Sequence, residues 1–81
     1  MSRRETLLAK LRNNQNNVSF VDLESLLVQY GFALARTASS HCRYHREGCP
    51  QITVTRHGAQ VRPAAVKEVL RILDEYVLDT E

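Results

Sequence analysis

No apolar run in this 81-residue chain approaches the roughly 18–20 residues a membrane helix needs. No signal-like apolar core follows the charged start either, so a cytoplasmic location is expected. Cysteine is scarce as well. Cys42 and Cys49 are too few for a disulfide framework and read as two reduced thiols. Three glycines and two prolines leave no low-complexity stretch, and no segment repeats. The remaining composition, 43% hydrophobic and 25% charged, is that of an ordinary globular domain rather than a disordered chain. One domain over 1–81 is expected, burying only about 60–65% of its unfolded surface.

Net charge is small, +2, but its distribution is uneven. Residues 36–67 hold Arg36, Arg43, Arg46, Arg56, Arg62 and Lys67 against the single Glu47, which makes +5 and leaves −3 for the rest. His41, His45 and His57 lie in the same stretch. A basic middle between more acidic flanks suggests a surface that faces a polyanion.

Apolar spacing predicts a short helix over 4–12, with Leu7, Leu8 and Leu11 on one side. The Asn-rich run 13–17 ends it, because these side chains compete for backbone hydrogen bonds. Residues 1–17 thus read as an additional N-terminal helix and linker, and 18–79 as the core. Ser19 is placed to cap a second helix carrying Phe20, Leu23, Leu26, Leu27 and Tyr30, and Gly31 to stop it. Three strands are expected at 32–37, 41–47 and 51–56. A last helix starts at Pro63, with Val66, Val69, Leu70, Leu73, Tyr76 and Val77 as its apolar stripe.

Side chains directly across a ladder share a face, so Cys42, Tyr44, Ile52 and Val54 should point together. Pairing Tyr44 with Val54 achieves this and leaves a three-residue loop, Gly48-Cys49-Pro50. That register sets His41 opposite His57, Arg43 opposite Thr55 and His45 opposite Thr53. Cross-strand position then makes His57 a candidate proton-transfer partner of His41. The order α-α-β-β-β-α predicts an α+β two-layer sandwich, with helices on one face of an antiparallel sheet. A zinc site is not expected from the ligand-type residues His41, Cys42, His45 and Cys49. His41 and Cys42 fall on opposite faces, and Cys42 and Cys49 lie about 20 Å apart along an extended strand.

From Ser19 onward the chain resembles the HicA toxin family, whose fold is similar to the double-stranded-RNA-binding domain. The resemblance rests on Gly31-Phe32 ending a helix, a strand bearing Arg36, and Ser39-Ser40-His41 at the position of a Gly-Ser-His segment. Tyr44 follows three residues later, then His57-Gly58, then Arg62-Pro63 opening a helix from Val66 to Leu73. Ser39 stands where the family has Gly, and Cys42 where a second His is frequent. The resemblance implies metal-independent endonucleolytic cleavage of mRNA, with His41 as general acid or base and no cofactor. It also implies a HicB-like antitoxin as partner; the free toxin is expected as a monomer. Arg43 and Arg56 are the candidate phosphate clamps, and Ser40, Arg36, Arg62 and Lys67 the candidate RNA contacts. The competing reading is a non-catalytic RNA-binding module of the same fold, which growth arrest relieved by His41→Ala would exclude.

Overall fold

The helix α1 (Arg3–Asn13) ends where Gln15 turns back, its side-chain amide donating to the carbonyls of Leu11 (2.8 Å) and Arg12 (2.6 Å). Asn17 then takes a left-handed φ of 60°, which asparagine tolerates better than most residues. These details come from a computed structural model, which describes residues 3–38, 40–56 and 58–78. Asn-rich chemistry thus breaks the chain between helices, as the sequence pattern implies.

The second helix, α2 (Phe20–Gln29), starts at a formed cap: the Ser19 hydroxyl accepts from the Asp22 amide at 3.1 Å. Asp22 does not close a reciprocal box; it pairs with Lys10 of α1 at 3.1 Å. Gly31 ends the helix at φ +91°, a conformation that side-chain-bearing residues rarely adopt. Ser19→Ala is expected to cost about 1 kcal/mol, readable as a drop of several degrees in Tm by thermal unfolding.

Three antiparallel strands follow, β1 (Ala33–Ala38), β2 (His41–His45) and β3 (Ile52–Thr55), with β2 in the centre. Cys42, Tyr44, Ile52 and Val54 are all buried on the helix-covered face. Their partners differ from the expected register, however. Cys42 pairs with Val54 and Tyr44 with Ile52, so His41 stands opposite Thr55 rather than His57. Arg43 faces Thr53 rather than Thr55, and His45 lies beyond the paired rungs. The slip is two residues, an even number, so every side chain keeps its face.

The turn explains the slip. The strands end at His45 and begin again at Ile52, leaving 46–51 as connection instead of three residues. Arg46 leaves the strand to donate to the Tyr30 carbonyl at 3.0 Å. The Cys49 amide closes a turn on the Arg46 carbonyl at 3.0 Å, with Gly48 at φ +83°. Pro50 has no N–H to give a ladder.

The third helix, α3 (Pro63–Ile72), has Pro at its first turn and runs into a π turn over Leu73–Val77. Val66, Val69, Leu70, Ile72, Leu73 and Val77 are buried, but Tyr76 is 42% exposed rather than part of the stripe. The wider π turn, marked by the Leu78 amide bonding the Leu73 carbonyl, rotates position 76 off the apolar face. Helices therefore cover one face of the sheet only, and the other is open. The N-terminal helix belongs to the same core: Leu8 and Leu11 are buried with the residues of α2 and α3. Arg12 grips Asp74 through both guanidinium nitrogens.

Candidate functional site

On the open face, the paired residues of β1, β2 and β3 present Arg36, Arg43 and Thr53 in one row and Ala38, His41 and Thr55 in the next. Alternation produces this arrangement, because the apolar residues of β2 and β3 are claimed by the core. At the start of β2, His41 is exposed and its Nδ1 lies 3.0 Å from Thr55 Oγ1. The threonine hydroxyl can accept from a protonated Nδ1 or donate to a bare one. Either way it fixes the ring and leaves Nε2 directed away as the free nitrogen.

Beside this pair is an open cleft of about 350 Å³ lined by His41, Thr53, Thr55, Arg62, Ala64 and Ala65. The last three bring in the start of α3. Its first turn carries no acidic residue and its N-cap, Arg62, makes no side-chain cap bond. The positive end of the helix dipole therefore borders the cleft with no acidic residue in its first turn, next to a guanidinium and an imidazole, while the Ala65 and Val66 amides bond the Arg62 carbonyl. An anion of phosphate size has the electrostatic environment it needs here.

One row along the sheet, Arg36 and Arg43 stand directly opposite each other. Like charges across a ladder cost roughly 0.2–1 kcal/mol. Among the described residues neither meets a carboxylate. Such a pair is disfavoured in the free protein and relieved by an anionic ligand.

The other expected site residues are distributed differently. Arg56 turns to the helix side, its guanidinium 4.6 Å over the Phe20 ring centre, while its amide donates to the Ser40 carbonyl at 2.8 Å. Ser40 is exposed in the turn before His41. Lys67 lines a separate hollow with Arg12, Gln15, Leu70, Arg71 and Asp74, away from His41. His57 and Ser39 lie outside the described residues. Cys42 is buried and Cys49 half-buried, both as free thiols, so neither converges on His41. Among the described residues, no group of three His, Cys, Asp or Glu side chains could hold a metal.

Thr53, Thr55, Ala64 and Ala65 line the cleft and were not singled out by sequence reasoning. Two outward-facing threonines on a strand were the available signal for the first pair. Beneath the site, Tyr44 donates to Glu24 at 2.6 Å. Burial first, and this bond second, push its phenol far up, so it remains a neutral donor that ties β2 to α2.

Fold and site together define an α+β sandwich with one sheet face left open, cationic and histidine-bearing. The model of the HicA toxin of bacterial toxin–antitoxin systems matches residues 21–74, and the chain belongs to that family. It is accordingly the toxin member of a toxin–antitoxin pairing. Neither the curated proteins nor the solved structures yielded a match to the chain. The matched segment starts within α2, so α1 lies wholly outside it. No described helix is long and apolar enough to cross a membrane.

Proposed function

We propose that this chain is a metal-independent endoribonuclease that cleaves mRNA, with His41 as the general acid or base, and that a HicB-like antitoxin neutralises it. The observation that carries this reading is the His41–Thr55 pair at the mouth of a cleft built against the start of α3. The chemistry needs few parts. The 2′-oxygen attacks the adjacent phosphorus, a base takes its proton, the bond to the 5′-oxygen breaks, and an acid protonates that leaving oxygen. A 2′,3′-cyclic phosphate and a 5′-hydroxyl result.

His41 Nε2 is free to take or give a proton while Thr55 holds Nδ1. Arg62 and the α3 N-terminus stand where they stabilise the charge that grows on the phosphorane. Arg36 and Arg43 bind a neighbouring phosphate, Ser40 lies at the entry turn, and Arg56 and Lys67 contribute at most from the flanks. His57 follows β3 by two residues in the chain; because the register sets Thr55 rather than His57 across from His41, its candidacy for the second proton rests on the sequence alone.

Incubating the purified chain with an mRNA in EDTA tests the proposal: fragments ending in a cyclic phosphate are expected. RNA binding without such fragments would make the chain a binding module instead. Comparing His57→Ala with His41→Ala then separates a two-histidine from a one-histidine scheme. Thr55→Val should slow cleavage about fivefold, the worth of one hydrogen bond of roughly 1 kcal/mol, and should shift the pH–rate profile. An unchanged profile would leave Thr55 without a role in holding the ring.

A further inference from the structure

The helix layer does not reach the whole sheet. Every residue of β1 is exposed, including those on the face that β2 and β3 bury. Leu34 pairs with Tyr44 and Thr37 with Cys42, so both point to the helix side, yet Leu34 is 50% exposed. Along α2, Val21, Glu24 and Val28 recur at helical spacing on one side. Glu24 accepts from the Tyr44 hydroxyl on β2, whereas Asp22 pairs with Lys10 of α1, so this stripe looks to the sheet rather than to α1. Val21 is 64% exposed and Val28 56%. Because α2 runs into β1 through the short reversal at Gly31, Val28 lies at the Leu34 end and Val21 at the Thr37 end. Val21, Val28 and Leu34 are thus exposed apolar side chains bordering the uncovered part of the sheet, with the Glu24–Tyr44 bond beside them and no outer wall among the described residues.

That wall would be the next strand. The sheet order is β1-β2-β3 and, among the described residues, nothing pairs with the outer edge of β1. Natural edges are blunted by charged side chains, proline, inward charge or bulges; 33–38 has no lysine, proline or inward charge, and carries only the outward Arg36 and a bulge between Leu34 and Arg36. The opposite face of the same edge specifies the visitor's charge. Arg36, Arg43, His41 and His45 lie there, with no carboxylate among the described residues of β1, β2 and β3.

We infer that β1 is the docking edge for an extended segment of the cognate antitoxin. This segment adds as a fourth strand, alternating apolar residues toward Val21, Val28 and Leu34 with acidic residues toward Arg36. A segment so placed lies beside the His41 row and brings its carboxylates to the cations that would otherwise hold phosphate. Choice of partner rests on the toxin reading of the chain; it does not depend on His41 being catalytic.

The test is amide hydrogen exchange on the full chain, free and bound to purified antitoxin, with affinities for Leu34→Lys and Val28→Lys. Slowed exchange over 33–38 in the complex is expected, and each variant should weaken binding about tenfold or more. Both positions are exposed, so unchanged Tm and unchanged RNA cleavage by the free variants are expected too. Wild-type affinity in both variants, or protection that spares 33–38, would overturn the proposal. Free wild-type chain that cuts no RNA would sink the ribonuclease reading while leaving the exchange result to stand.

Discussion

His41→Ala is expected to abolish growth arrest on induced expression and to slow RNA cleavage by roughly 10²- to 10⁴-fold, the usual worth of a positioned general acid or base. The size follows from the position of the ring. Nothing else among the described residues lining the cleft can exchange a proton near neutral pH: Thr53 and Thr55 are alcohols and Arg62 stays charged. Loss of the imidazole therefore removes the proton transfer and leaves only electrostatic stabilisation. Stability should barely change, by about 0.5 kcal/mol or less, because His41 is exposed and loses a single surface hydrogen bond. Arg43→Ala is the informative contrast. It should weaken RNA binding in a salt-dependent way and leave the chemical step largely intact, because it removes a phosphate contact rather than a proton carrier. Equal losses from the two substitutions would mean that His41 acts by charge alone.

The parts legible in the sequence were those set by local rules. Ser19, Gly31 and Pro63 mark helix ends through backbone chemistry that acts within a few residues. The faces of β2 and β3 follow from alternation, which survives any even slip in register. What failed was the rung itself. Loop length depends on Arg46 finding the Tyr30 carbonyl, a contact sixteen residues away that no local rule contains. Tyr76 failed for a related reason, since a 3.6-residue period cannot foresee a π turn. The histidine was found through its family pattern and its outward parity. Thr55 beside it required the true register, and the α3 N-terminus in the cleft required the tertiary fold.

The N-terminal helix was legible as a helix but not in its purpose, and its packing now assigns one. Leu11 is 1% exposed, at the meeting of α1 with the helix layer. Leu11→Ala is expected to cost about 2–5 kcal/mol, as buried leucine truncations do. A domain of this size holds only about 4–12 kcal/mol in total, so Tm should fall by roughly 10 °C or more. The ion pairs that fasten α1 are minor beside this. Lys10–Asp22 and Arg12–Asp74 are both substantially exposed, and Lys10→Ala or Arg12→Ala should each cost about 1 kcal/mol or less after solvent screening. Their contribution has a pH signature. Hydrogen bonding from Arg12 holds the Asp74 carboxyl below its ordinary value. The bond thus stabilises the fold fully above the unfolded carboxyl range, near 4, and is lost as pH falls through the lower folded value. Acid should narrow the gap between wild type and Arg12→Ala but leave the Leu11→Ala deficit in place, because apolar burial does not titrate. Thermal unfolding of the three proteins at pH 7 and pH 3 checks both statements. A Leu11→Ala chain as stable as wild type would make α1 an appendage on a core that stands without it.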